Sequence, residues 1–237
     1  MKKIAIIIAG GVGARMGQDI PKQFLTIQDK PVIIHTLEAF EKHPDIDHII
    51  VACLAGWHDI LKSYAKQFNI SKLSSIINGG EDGQASIKAG LDEAKRLYSG
   101  KDIVLIHDGN RPMVSDEIIS DNIATCTNYG NAITVIPCTE VILQTDDHQV
   151  SSGLLDRDKL VRTQTPQAFY LDDILSAHAE AAEKKLPRTA ASCALYEMLG
   201  RKLFFSNGSE KNLKLTTPDD INIFEALLNI KRKTWLK

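Results

Sequence analysis

Ile4-Ala5-Ile6-Ile7-Ile8-Ala9 runs directly into Gly10-Gly11-Val12-Gly13-Ala14-Arg15-Met16-Gly17, and Pro21-Lys22-Gln23 follows. An unbroken apolar run ended by glycines predicts a buried strand that turns into a glycine-rich loop. Glycines let backbone N–H groups approach phosphate, because no Cβ shields them. Arg15 in the loop and Lys22 beyond it are cations that neutralise charge growing on phosphoryl oxygens. The stretch reads as a triphosphate site that performs chemistry. A dinucleotide fingerprint starting at Gly11 needs glycine where Met16 stands, and a Walker loop needs lysine where Gln18 follows Gly17.

Working outward, strand-like and helix-like segments alternate. Strands are predicted at 47–53, 74–77, 102–107 and 131–137, and helices at 31–42, 56–68, 84–99 and 115–129, the last capped by Ser115. Apolar strands separated by helices imply a Rossmann-like α/β fold, with a mostly parallel sheet covered on both faces. Ligands of such sheets bind beyond the carboxyl ends of the strands, where the loops at 10–17, 78–86 and 107–112 converge. After Pro137 the pattern changes. Val141–Gln144 and Val150–Ser152 flank a turn and read as a hairpin or arm. Helices at about 171–184 and 190–199, a strand at 202–206 and a last helix from Pro218 complete the chain. We expect one domain over residues 1–237, with the arm at about 139–160.

The chain has 237 residues and a formal charge of -2. That length buries roughly 70–75% of the unfolded surface without disulfides or a structural metal. A near-neutral charge gives no reason to expect nucleic acid or membrane as a partner. Ile4–Ala9 is too short for a signal core, and no run approaches a membrane span. Cys53, Cys126, Cys138 and Cys193 lie far apart without metal-ligand spacing, and read as reduced, buried thiols of a cytoplasmic protein.

Two further loops carry candidate chemistry. Asn78-Gly79-Gly80-Glu81-Asp82-Gly83-Gln84-Ala85-Ser86 follows a strand and enters a helix, so its freed backbone groups suit the edge of a base. His107-Asp108-Gly109-Asn110-Arg111-Pro112 places a carboxylate at the end of a central strand. A carboxylate beside triphosphate helps hold Mg²⁺, with few protein ligands and several waters. Arg111 pairs with that carboxylate or faces phosphate. His107 reads as a hydrogen-bonded scaffold residue rather than a base. Arg157, Arg162, Thr165, Thr189 and Lys214 are polar candidates in the second half.

Together these motifs resemble the CTP-dependent cytidylyltransferases of polyol phosphates. The likeness rests on Gly-Gly-x-Gly-x-Arg-Met, Pro21-Lys22-Gln23-Phe24, Gly79-Gly80-Glu81, Ser86, His107-Asp108 with Arg111-Pro112, Thr165-Pro166-Gln167 and Asn212-Leu213-Lys214. It implies CTP in the crevice, with Ala9, Gly10, Gly11, Gly13, Gly79, Gly80, Glu81, Ser86 and Asp108 binding nucleotide. By the same resemblance Arg15, Lys22, Arg157 and Lys214 are catalytic, and Arg111, Arg157, Thr165, Thr189 and Lys214 hold the second substrate. Asp108 matches a ligand of the Mg²⁺–nucleotide assembly. The family is typically homodimeric, with an arm like 139–160 reaching the partner's site.

One branch of that family acts on 2-C-methylerythritol 4-phosphate and the other on ribitol 5-phosphate. Where the signature has two small residues between Asp and Arg, this chain has Gly109-Asn110. Glu140-Val141 replaces an acidic residue followed by Thr. The methylerythritol branch typically shows Thr-Asp-Glu-Ala-Ser; here the residues are Thr189-Ala190-Ala191-Ser192-Cys193. The changed lining favours ribitol 5-phosphate, converted with CTP to CDP-ribitol and pyrophosphate for teichoic acid or capsule synthesis. Methylerythritol phosphate is the alternative acceptor, and a non-catalytic nucleotide-binding module is the alternative of another class.

Overall fold

The computed structural model describes residues 1–11, 20–189 and 191–234, with side chains as far as residue 230. In chain order the elements are β1 (Lys3–Ala9), β2 (Thr26–Ile27), β3 (Lys30–Pro31), α1 (Val32–Lys42), β4 (His48–Cys53), α2 (His58–Gln67) and β5 (Leu73–Asn78). Then come α3 (Gly83–Leu97), β6 (Ile103–Asp108), α4 (Asp116–Tyr129), β7 (Asn131–Pro137), β8 (Ile142–Gln144) and β9 (Gly153–Leu155). The chain continues with β10 (Val161–Tyr170), α5 (Leu171–Glu183), α6 (Ser192–Met198), β11 (Phe205–Asn207) and α7 (Pro218–Thr234).

The main sheet has the order β11-β7-β10-β6-β1-β4-β5. β10 runs antiparallel to both neighbours, while the other pairings are parallel. Side chains of a strand alternate between faces, so an all-apolar β1 feeds two cores. Ala5, Ile7 and Ala9 pack with Ile33, Leu37 and Phe40 of α1 and Ile119 and Ile123 of α4. Ile4 and Ile6 pack with Ile87 and Leu91 of α3, Ile174 of α5 and Leu195 of α6. Burying both faces fixes the register, since a one-residue slip would exchange the two sets of side chains. Ile8 lies beside Asp108, and Ala9 beside Cys53. The ends of β1, β4 and β6 are therefore level, and their loops open on the same side.

The α/β architecture matches expectation, and most elements fall within two residues of their predicted bounds. Three differ. β10 was read only as a motif, without a strand. The final strand covers Phe205–Asn207, not 202–206. The arm pairs Ile142 with Leu155 and Gln144 with Gly153, so its second strand begins later than predicted. Asp147 explains the longer turn: its Oδ1 accepts from the N–H groups of Gln149 and Val150 at 2.8 and 2.9 Å. All four cysteines are buried and unpaired, and burial pushes the Cys126 thiol up to about 12. Among the described residues no helix is long and apolar enough to cross a membrane.

Candidate active site

The carboxyl ends of β1, β5 and β6 wall a cavity of about 660 Å³. Ala9, Gly10, Gly11, Lys22, Gly80, Glu81, Ser86, Asp108, Arg111, Thr165 and Lys214 line it, so most of the predicted residues converge. Gly13 and Arg15 lie outside the described residues.

The two glycine loops interlock. A Cβ on Gly79 would stand 2.9 Å from Gly10 Cα, and one on Gly10 would stand 3.0 Å from Ser86 Oγ. Gly79 therefore packs behind Gly10 and is not among the residues lining the cavity. The Ser86 hydroxyl is committed to the loop: it donates to Asp82 O at 2.8 Å and accepts from Gly80 N at 3.0 Å. Asp82 caps α3 by accepting from Ala85 N at 2.7 Å. On the β1 side, the buried Gln23 amide donates to Ala9 O at 2.8 Å and Gly11 O at 3.0 Å. Phe24, stacked on Trp57 at 4.5 Å, anchors that turn against the core.

Asp108 is the electrostatic centre. Its Oδ2 accepts from Arg111 Nε and its Oδ1 from Lys214 Nζ, both at 3.0 Å. Burial alone would raise its pKa, but the two cations outweigh this and hold it below the usual carboxylate range. Arg111 is fixed by a second bond to Asn212 O at 2.7 Å. The segment bearing Lys214 is held by Asn110, whose side chain donates to Leu215 O at 2.5 Å while its carbonyl accepts from Leu215 N at 2.9 Å. Gly109 is wedged under the same turn, where a Cβ would stand 2.9 Å from Ile33 Cδ1 and 3.0 Å from Ile8 O. Gly109-Asn110 thus supports Lys214, and Asn110 also lines the cavity.

His107 is fully buried, and its ring bonds form a closed set. Nε2 donates to Arg111 O at 3.1 Å, so Nδ1 accepts the Thr165 hydroxyl at 3.0 Å, and Thr165 Oγ1 accepts from Asp108 N at 3.1 Å. Burial lowers the ring's pKa to about 4. A neutral imidazole with both nitrogens occupied is scaffold, not base, as expected. Thr165 lines the cavity, but its hydroxyl first serves this network.

Besides Gly79, Thr189 and Arg157 are not among the residues lining the cavity. Thr189 donates through Oγ1 to Ala191 O at 2.8 Å and through its N–H to Gln84 Oε1 at 2.9 Å, so it braces the wall from behind. Arg157 lies on the arm, with its guanidinium on Thr139 O at 2.9 Å. Sequence reasoning missed Arg188, which pairs with Glu81 and, at 2.9 Å, with Asp82. This clamp joins the glycine loop before α3 to the segment before α6. It also missed Ser192, which lines the cavity. Neither stands in a pattern that separates it from an ordinary surface arginine or helix-start serine.

The family model described as 2-C-methyl-D-erythritol 4-phosphate cytidylyltransferase (IspD) matches residues 3–230. The chain is 41% identical to a ribitol-5-phosphate cytidylyltransferase of Lacticaseibacillus paracasei, over 96% of this chain and 98% of that one. It is 37% identical to a 2-C-methyl-D-erythritol 4-phosphate cytidylyltransferase of Clostridium acetobutylicum, over 94% and 96%. The crystal structure of the Thermus thermophilus 2-C-methyl-D-erythritol 4-phosphate cytidylyltransferase superposes with a TM-score of 0.77 at 26% identity, over 96% of this chain and 98% of that one. With its interlocked glycine loops and its Asp108 held by two cations, the chain belongs to the IspD cytidylyltransferase family.

Proposed function

We propose that this chain transfers the cytidylyl group of CTP to D-ribitol 5-phosphate, giving CDP-ribitol and pyrophosphate for a cell-surface polymer. The observation that carries the chemistry is Asp108 held between Lys214 and Arg111 in the cavity that the β1 loop enters. The acceptor rests on the higher identity to the ribitol 5-phosphate enzyme, 41% against 37%, and on Ala191, a wall residue that stands where the methylerythritol pattern has its second carboxylate.

A phosphate oxygen of the acceptor attacks the α-phosphorus of CTP in line. The new P–O bond forms as the bond to the bridging oxygen breaks, and pyrophosphate leaves with that electron pair. A phosphate monoester has its second pKa near ~6, so the nucleophile is already anionic and needs no base. That agrees with a His107 whose two nitrogens are occupied. The difficulty is the meeting of two anions: unit charges 4 Å apart repel by about 4 kcal/mol at an effective dielectric of ~20. Lys22, Lys214 and Arg15 offset this and stabilise charge growing at the α-phosphate.

Asp108 fits a Mg²⁺ carried in with the triphosphate. Such an ion takes one or two carboxylates with phosphates and waters, and the described residues hold no cluster of three acidic, histidine or cysteine side chains that would form a protein cage. Bound there, Mg²⁺ would neutralise phosphate charge. We further read the chain as a single domain acting as a homodimer. Val141, Val150 and Leu154 of the arm are 67%, 68% and 70% exposed, and pairing would cover them and carry Arg157 toward the partner's cavity.

Pyrophosphate release from CTP and Mg²⁺ across a panel of polyol phosphates tests the proposal. Ribitol 5-phosphate should give the highest kcat/KM. A higher value with methylerythritol phosphate refutes the acceptor, and no release with any member leaves a nucleotide-binding module.

A further inference from the structure

Ser192 lines the active-site cavity, is 3% exposed, and its hydroxyl has no hydrogen-bond partner among the described residues. Of the buried side-chain atoms without partners among the described residues, only Ser192 Oγ belongs to a residue lining this cavity. Its surroundings are fixed. The Cys193 N–H donates to Gln167 Oε1 at 3.0 Å, and the Gln167 amide donates to Gln164 O at 3.3 Å. The start of α6 is thus tied to β10, which also carries Thr165 beside Asp108. Buried polar groups in native proteins nearly always find partners, so an orphan at the wall of a ligand cavity calls for one from the ligand.

The sequence gives that orphan a meaning. In the methylerythritol pattern Thr-Asp-Glu-Ala-Ser the fourth residue is Ala, and here it is Ser192. A hydroxyl stands where that pattern has a methyl, and methyls stand where it has two carboxylates. In sequence, the polar positions of this stretch are redistributed. Serine has one side-chain torsion with three staggered wells, so a rotation re-aims its oxygen, and that oxygen both donates and accepts.

We infer that Ser192 determines acceptor specificity by hydrogen-bonding one hydroxyl of the polyol chain. The inference rests on the ribitol reading above. A site that bonds a substrate hydroxyl discriminates against the analogue that lacks it. A hydroxyl without a protein partner also differs from a structural one, because its removal leaves no other protein group unpaired.

The test compares wild type with Ser192→Ala on ribitol 5-phosphate and its four monodeoxy analogues at C1, C2, C3 and C4, read as kcat/KM for pyrophosphate release at saturating CTP. In wild type, one analogue should be poorer by about tenfold or more through its contact with Ser192. Ser192→Ala should lose a similar factor on ribitol 5-phosphate and nothing further on that analogue, while its losses on the other three match wild type. Its KM for CTP and its thermal midpoint should stay at wild-type values or, for the midpoint, rise. Equal losses on all five acceptors, a change confined to the KM for CTP, an unchanged kcat/KM, or a lowered midpoint would each overturn the inference. If wild type turns over ribitol 5-phosphate and Ser192→Ala keeps the same selectivity, this inference alone fails. If wild type does not turn it over, the acceptor reading fails and takes this inference with it.

Discussion

Thr165→Val keeps the shape of the side chain and removes the hydroxyl at the centre of the His107 network. In wild type that hydroxyl donates to His107 Nδ1 at 3.0 Å and accepts from Asp108 N at 3.1 Å. Valine leaves both groups unpaired. Each orphan costs about 1–3 kcal/mol, and the Asp108 N–H lies at the lower end because it borders an open cavity. The expected loss is about 2–4 kcal/mol. A chain of this length shifts its midpoint by about 2–4 °C per kcal/mol, so unfolding should come roughly 5–15 °C earlier. Thermal and urea unfolding of wild type, Thr165→Val and Thr165→Ser measure this, with serine restoring most of the loss. Should Thr165→Val unfold with the wild type while turnover collapses, the hydroxyl acts on substrate alone and the network argument is wrong.

Lys22→Ala should lower kcat about a hundredfold or more, since its charge acts on the reacting phosphate, while stability changes by less than about 1 kcal/mol. Wild-type turnover in that variant removes Lys22 from the mechanism. The second expectation concerns pH. Burial lowers His107 from 6.5 to about 4, so between these values the unfolded chain binds a proton that the native chain does not. Stability from the neutral ring is complete above pH 6.5 and is lost as pH falls toward 4, by up to about 3 kcal/mol. His178, lowered to about 4 by burial and by Lys88, adds in the same direction. Urea unfolding from pH 7 to 4 should show the decline, and His107→Gln should shallow it; an identical slope in the variant refutes the assignment.

β1, β4 and β6 are legible because each is a mostly apolar run buried on both faces. β10 is not. Its Arg162, Thr163, Gln164 and Thr165 read as polar loop, and Pro166 argues against a central strand. The ladder tolerates it because the register shifts between Thr163 and Gln167, after which Ala168 and Phe169 enter the core. The same distinction runs through the site. The glycine loops, Asp108 and Lys214 announce themselves by residue type. The hydroxyls of Ser86 and Thr165 look like ligand contacts in a motif, and only geometry reveals them spent on the protein's own backbone and ring. Asn110 looked like an altered contact, and only the fold places Leu215 across from it.

The ion pair of Asp108 with Lys214 has a consequence for selectivity among anions. Lys214 meets an incoming ligand already paired with a carboxylate of its own chain, which it shares with Arg111. That carboxylate never diffuses away, so a dilute inorganic anion offering one contact gains little by replacing it. A ligand that brings several charges and further bonds at once can complete the exchange. Entry into this cavity is therefore a displacement reaction rather than a simple attraction, and the internal carboxylate acts as a threshold that sorts polyvalent phosphates from ordinary salt.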